Sequence, residues 1–326
     1  MIRNMQIGRA KEGRQVIQIL ELFGGIGSPR IALRNLGIDV KAIDYVEIDE
    51  KAVRSYNAMF KKDLAYKTQS VVNYNLKPDI LIHGSPCQDF SIAGHQKGAD
   101  EGSETRSSLM WETINIVKQM GVWKPGVVIW ENVKNVLSKH MRHNFNRYLD
   151  EMQKLGYTSN YAVLNAMDFG LPQNRNRVFT VSCLDGTIFN FDTLEKKPMR
   201  DIKEFLEDTQ EDKYIVSQPS MIKKIESNDG SFGGRVQVIK DYCSTITTKQ
   251  MRCPNSGVVD LGNGKYRYLT ERECWRLQGY SDADFQAALK VHPGKPGKLN
   301  GALYKQAGNS IPTVFFESMF KQMLGM

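Results

Sequence analysis

Short apolar runs alternate with helix-period stretches through the first half of this chain, and that alternation constrains its fold more than any other feature. Candidate strands are Val16–Leu22, Val40–Val46, Asp79–His83 and Val127–Trp130. Between them helical spacing runs over Pro29–Leu36, Glu50–Phe60 and Leu109–Met120, the last with Met110, Ile114 and Val117 on one face. Strands separated by helices are joined by crossovers, which lay them parallel in one sheet with helices on its faces. An α/β fold is expected, and 326 residues with 41% hydrophobic content suffice for its core. No apolar run approaches the roughly 18 residues of a membrane span. Residues Met1 to Arg14 are basic and polar, without the apolar stretch of a signal peptide, so a cytoplasmic protein is expected.

Beyond Cys183 the pattern loosens. Residues 185–268 are rich in Gly, Asn, Asp and Ser, with short β-like runs at Arg235–Ile239 and Tyr242–Thr248. Residues 201–212 carry six acids against Lys203 and read as an acidic, helix-like stretch. Residues 213–268 carry nine Lys/Arg against four acids, a net of +5 in a chain of net charge +8. That distribution favours a polyanionic partner. Order returns at Thr270-Glu271-Arg272-Glu273, a capping box that opens a helix. A final helix is expected to begin one or two residues before Pro312, with Phe316, Phe320 and Met323 on its apolar face. The chain thus leaves a first domain at residue 184, builds a lobe over 185–268, and returns to complete the domain with 269–326.

Five cysteines, none in CxxC spacing, indicate neither a disulfide framework nor a zinc site. Six short motifs remain. Glu21-Leu22-Phe23-Gly24-Gly25-Ile26-Gly27-Ser28-Pro29 follows the first strand, a glycine turn with Ser28 and Pro29 read as N-cap and first helical residue. Glu47 ends the second strand 22 residues after Gly25, where a carboxylate can accept from ribose hydroxyls. These residues suit a nucleoside cofactor, S-adenosylmethionine as well as NAD; an ordinary tight turn with a solvated Glu is the plain alternative. Gly84-Ser85-Pro86-Cys87-Gln88 follows the third strand, and Pro86 stiffens the frame that presents the Cys87 thiol. Trp130-Glu131-Asn132-Val133 closes the fourth strand, where burial raises a carboxyl and lets it share a proton with a ring nitrogen. Arg175 and Arg177, two apart on an expected strand, would project from one face as a fork for anionic or carbonyl oxygens. Gln306-Ala307-Gly308-Asn309-Ser310-Ile311-Pro312 reads as a glycine turn feeding a helix. Singly, each has a structural reading as good as its functional one.

In this order the blocks resemble the cytosine-C5 DNA methyltransferase family, over nearly the whole chain from Val16 to the last helix. Arg106-Ser107-Ser108-Leu109 and Arg272-Glu273-Cys274-Trp275-Arg276-Leu277-Gln278-Gly279 match as well. The weak stretch is 185–268, where the family places its variable target-recognition region. The resemblance implies a Rossmann-like mixed, mostly parallel sheet flanked by helices, with a smaller irregular β-rich lobe. It implies methyl transfer from S-adenosyl-L-methionine, leaving S-adenosyl-L-homocysteine, to C5 of a cytosine flipped out of double-stranded DNA. Cys87 would be the nucleophile at C6, Glu131 would contact N3 and the exocyclic amine, and Arg177, with Arg175 nearby, would hold the base. Phe23, Gly25, Ile26, Gly27, Glu47, Ile48, Ser70, Pro86, Leu109, Asn309 and Ser310 would form the cofactor pocket. Two positions depart from the family pattern: Ser70 stands where an Asp usually contacts the adenine amine, and Ile48 replaces a common aromatic. The loop Ser91–Thr105 and the glycines at 230–234 are candidates for closing on DNA. A monomer without metal or membrane attachment is expected, of a bacterial or phage type, nucleoid-associated through DNA and with or without a cognate restriction enzyme. An NAD-dependent oxidoreductase leaves Cys87, Glu131 and the arginines unexplained. A non-catalytic relative would be expected to lose the Cys or the Glu; RNA remains an alternative substrate.

Overall fold

The computed structural model describes residues 17–38, 40–61, 65–72, 78–85, 109–227, 236–251 and 254–326. Cys87, Pro86, Gln88, Arg106–Ser108, the loop Ser91–Thr105 and the glycines at 230–234 lie outside the described residues.

Strands β1 (Ile17–Leu22), β2 (Val40–Val46), β3 (Ile80–His83), β4 (Val127–Val133), β5 (Thr158–Asn165), β6 (Gln173–Asn174) and β7 (Asn176–Cys183) follow in chain order. All but β6 join one sheet in the order β2-β1-β3-β4-β7-β5. β1 to β4 are parallel, and β7 runs antiparallel to both β4 and β5. The chain reverses its direction of travel across the sheet between β1 and β3, and such a switch leaves a crevice beyond the carboxyl ends of the strands. Helices α1 (Ser28–Asn35), α2 (Glu50–Met59), α3 (Met110–Gln119) and α4 (Arg142–Lys154) make the crossovers and cover. On α3, Met110, Ile114 and Val117 are buried as their spacing predicts.

Strand alternation divides the core between the two faces of the sheet. Ile17, Ile19, Ile80, Ile82, Val127 and Ile129 point to one face. Leu20, Leu22, Leu81, Val128 and Trp130 point to the other, against α3 and α4. The first face is covered by the end of the chain: α6 (Glu271–Arg276), α7 (Asp282–Val291), α8 (Gly301–Asn309) and α9 (Thr313–Leu324) follow the lobe. Phe315, Phe316, Met319, Phe320 and Met323 of α9 bury into this core, each worth about 1.5–3 kcal/mol over exposure. The same alternation places Glu21 and Glu131 on that face.

The capping box at Thr270 is present, and Ser281 with Asp284 forms a second one at α7. Several boundaries differ from the sequence reading. β4 continues three residues past Trp130, because β7 pairs with it as far as Val133↔Arg177. Gly27, in the left-handed region, is the N-cap of α1, so Ser28 is its first residue and caps nothing. Pro312 is the N-cap of α9 and lies outside the helix, its φ suiting the entry. Gln306 to Asn309 form the last turn of α8, not a glycine turn. The acidic stretch 201–212 is irregular apart from short 3-10 turns, Ile202–Glu204 and the start of Asp212–Tyr214.

Residues 185–268 hold α5 (Pro219–Ser227), the two-residue β8 (Cys243–Ser244) and the hairpin β9 (Val258–Gly262) and β10 (Lys265–Tyr268). β8 pairs with β6. Phe189, Phe191, Leu194, Ile202 and Phe205 sit in the same core as α9. Val216, Met221, Ile225, Val258 and Tyr268 form a small cluster of their own. Among the described residues no helix is long and apolar enough to cross a membrane.

Candidate active site

The glycine loop after β1 rests on tyrosines. A Cβ on Gly24 would come 2.6 Å from the Tyr45 ring, and one on Gly27 2.6 Å from the Tyr56 ring. The two rings stack with centroids 3.8 Å apart. Tyr45 donates its hydroxyl hydrogen to the Gly25 carbonyl. Tyr56 donates to Glu21 Oε2 at 2.8 Å while accepting from Arg30 Nη1 at 3.1 Å. Glu21 is buried, and burial pushes its carboxyl up to about 7. Phe23 has φ 56°, a left-handed conformation that a bulky side chain adopts only where its surroundings hold it. Gly25 has φ 55° with open space where a side chain would stand.

Glu47 Oε2 accepts from Gly25 N at 2.9 Å, and Oε1 accepts from Ile48 N at 2.8 Å and Asp49 N at 2.9 Å. A carboxylate has about four lone-pair sites, so one stays open for a hydroxyl. Ile48 is 76% exposed beside it. Ser70 is exposed on a segment tied to β2 by Gln69 N donating to the Glu47 carbonyl at 2.9 Å. Its own hydroxyl accepts from Val72 N at 3.2 Å. Ile26 is buried in the core, so only its main chain can serve a ligand. Leu109 is the half-buried N-cap of α3. Asn309 is exposed at the end of α8. Ser310 is buried and meets Ser28 Oγ at 3.1 Å and the Tyr280 hydroxyl at 2.8 Å, and Ser28 Oγ lies 2.7 Å from that hydroxyl. This triangle of hydroxyls joins the glycine loop to the end of the chain; no spacing in the sequence signals it.

The other side of the site is built on β3, β4 and β7. Arg177 Nε donates to Glu131 Oε1 at 2.9 Å. Glu131 Oε2 has no donor among the described residues and faces Gly84, where a Cβ would stand 3.5 Å away. Burial raises the Glu131 carboxyl; the charges of Arg177 and Arg175 pull it back less strongly. Ser85, two residues before Cys87, is held from β4: Trp130 Nε1 donates to its Oγ at 3.1 Å and Asn132 Nδ2 to its carbonyl at 3.4 Å. Beneath it, His83 is buried and pushed down to about 3 by desolvation, its Nε2 3.0 Å from the Tyr148 hydroxyl.

Arg175 does not fork with Arg177 on one strand. It lies between β6 and β7, buried, and donates to the carbonyls of Ile246 at 2.8 Å, Gly308 at 3.1 Å and Ser310 at 2.8 Å. Its guanidinium ties β7, the lobe and the end of α8, and reaches Glu131 through its charge. Gln173 works alongside, donating to the Leu277 carbonyl at 2.8 Å and accepting from Ile246 N at 3.1 Å. Cys183 and Cys243 are buried thiols pushed up to about 11 and about 12, and burial raises Cys274 well above its usual value too. None of the three suits a nucleophile. A cleft of about 390 Å³ lined by Glu207, Lys213, Tyr214, Arg272 and Lys298 shares no residue with this site. No cluster able to hold a metal ion occurs among the described residues.

A family model described as C-5 cytosine-specific DNA methylase matches residues 17–325. The chain belongs to that family. It is 31% identical to the type II methyltransferase M2.ScrFI of Lactococcus lactis subsp. cremoris, covering 94% of this chain and 99% of that one. It is 30% identical to the type II methyltransferase M.Bsp6I of Bacillus sp. (strain RFL6), covering 95% and 100%. Among solved structures it resembles the Entamoeba histolytica methyltransferase EhMeth, with a TM-score of 0.75 at 16% identity over 96% of this chain and 99% of that one. The Dnmt2 methyltransferase of S. pombe is similar, with a TM-score of 0.71 at 17% identity over 95% and 98%. The protein is thus a C-5 cytosine DNA methyltransferase with the Rossmann-like mixed sheet expected of it. The paired Glu131 and Arg177 stand where β4 ends and β7 begins.

Proposed function

We propose that this methyltransferase acts on a cytosine flipped out of double-stranded DNA, through a covalent bond between Cys87 and C6, with S-adenosyl-L-methionine as methyl donor. The observation that carries the reading is Glu131: buried, raised, fixed through Oε1 by Arg177 and, among the described residues, without a donor at Oε2. Two peptide units after Ser85 keep the Cys87 Cα within about 7 Å of the Ser85 Cα. The pinned Ser85 thus anchors the start of the segment that carries Cys87.

Cytosine is a poor nucleophile at C5. Addition of the Cys87 thiolate to C6 places an electron pair on the ring. A protonated Glu131 Oε2 meets N3 and takes up that charge as it develops, and its raised pKa favours carrying the proton. Arg177 keeps the carboxyl from rotating away. Once C5 carries the methyl group, water takes the C5 proton, the C5–H electrons re-form the ring double bond as the C6–S bond breaks and the Cys87 thiolate leaves, and N3 returns its proton to Glu131. The cofactor fits the other half of the crevice: Glu47 keeps a site for a ribose hydroxyl, Gly25 leaves open space and Ile48 offers an apolar surface. S-adenosyl-L-methionine, when bound, supplies the electrophilic methyl group. Phe23, Gly27, Ser70, Pro86, Leu109, Asn309 and Ser310 complete the assignment, with a Ser70 hydroxyl at the adenine in place of a carboxylate.

Flipping costs a few kcal/mol of unstacking. Phosphate contacts from the basic lobe offset it and make binding salt-dependent. We assign target recognition to residues 185–268, within which 216–268 carry the separate apolar cluster.

The experiment is transfer of tritium from labelled S-adenosyl-L-methionine to unmethylated mixed-sequence duplex DNA, with Cys87→Ser beside it. The expected result is label in 5-methylcytosine, abolished in the variant while DNA binding survives. Near-normal turnover by Cys87→Ser overturns the nucleophile. Label in RNA and none in DNA overturns the substrate.

A further inference from the structure

We propose that the exposed surface from Lys134 to Arg147 is a second contact for the phosphate backbone of duplex DNA, on the catalytic half and apart from the recognition lobe. The proposal rests on DNA being the substrate. Residues 132–149 contain Lys134, Lys139, His140, Arg142, His143 and Arg147 and no Asp or Glu. Lys134, Lys139, His140, His143 and Arg147 are exposed. The segment begins three residues beyond Glu131, where β4 passes into the 3-10 turn Lys134–Leu137. It therefore borders the site that must receive the flipped base.

The charges sit where the fold gains least from them. α4 has Met141 as N-cap, no side-chain cap and no acidic residue in its first turn. Arg142 occupies that turn, whereas toward the other end Glu151 is paired with Lys118 and Lys154. A cation near a helix N-terminus opposes the helix dipole. A local rule broken without gain to the fold points to use elsewhere. Arg142 is engaged, with Nη2 2.7 Å from the Tyr161 hydroxyl, and Arg147 lies 4.7 Å over the Trp111 ring. Lys134 and Lys139 have no ion pair among the described residues. Duplex DNA carries one negative charge per roughly 1.7 Å of axis, a density this acid-free surface complements.

The test measures duplex binding by the full chain across a series of NaCl concentrations, for wild type and Lys134→Gln/Lys139→Gln. Each phosphate contact contributes about −0.9 to the slope of log K against log salt. The double variant is expected to have a slope shallower by about 2, weaker binding at low salt, and unchanged turnover at saturating DNA. Lys134→Arg/Lys139→Arg should keep the wild-type slope. A wild-type slope in the Gln variant, with DNA methylation intact, overturns the surface alone. A wild type that neither binds nor methylates duplex DNA overturns the substrate reading, and the surface with it.

Discussion

Among the described residues Glu131 is held through one oxygen and has no donor at the other, which separates positioning from chemistry. Glu131→Gln keeps the shape and an acceptor for Arg177 but cannot pass a proton to N3. Turnover should fall about 10²–10⁴-fold, the usual contribution of a positioned acid, while cofactor affinity measured by calorimetry stays unchanged. Equal losses in both would make Glu131 a structural residue. Glu21 has a different consequence. Its carboxyl titrates at 4.5 when exposed and at about 7 in the fold. Below 4.5 both states hold the proton; between 4.5 and 7 the unfolded chain loses it and the folded one keeps it. Stability should therefore decline as pH rises through that window, by roughly 3 kcal/mol, and level off above it. Denaturant titrations of Glu21→Gln should give a flatter profile between those pH values; a profile parallel to wild type would mean that Glu21 does not carry the proton. Glu131 and Arg177 were legible because strand and motif coincide. Arg175 was misjudged because a two-residue alternation cannot reveal that the strand breaks between them, and Ser28 because nothing local shows that Tyr280 and Ser310 take its hydroxyl.

Among the elements, Gly308 shows how a glycine can mislead. Within a motif it looks like a turn, yet it lies in the last turn of α8. A Cβ there would stand 2.4 Å from Thr247 C and Thr248 N. Those are main-chain atoms and cannot rotate away. Gly308→Ala should destabilise the protein by about 1–3 kcal/mol through overpacking, despite the roughly 1 kcal/mol that Ala gains over Gly in a helix. A melting temperature at or above wild type would show that the lobe yields. β3 and the start of β4 were readable because both faces are buried, which makes each a continuous apolar run. β5 was not, since it lies at the sheet edge with partly exposed residues and carries no such run. α4 escaped for a related reason: its outward face is so charged that only Phe145, Tyr148 and Met152 mark the apolar stripe.

For the molecule as a whole, composition marks residues 185–268 as the stretch where regular pattern loosens. How closely the pieces share a core it does not show. Phe189, Phe191 and Leu194 fall beyond the last sheet strand yet pack with α9, and a boundary drawn where regular pattern stops cannot register that. The return itself spans great sequence distances. Ser28 and Ser310 are 282 positions apart, and Ser28 and Tyr280 are 252 apart. Arg34 is clasped by Asp284 at 2.8 and 2.9 Å across a comparable span. A ribosome delivers the glycine loop early and its cover last. Until residues past 310 have been made, the nascent polypeptide lacks the hydroxyl contacts that fasten the start of α1 to the end of the chain, so a stalled or prematurely terminated translation product leaves the glycine loop uncovered.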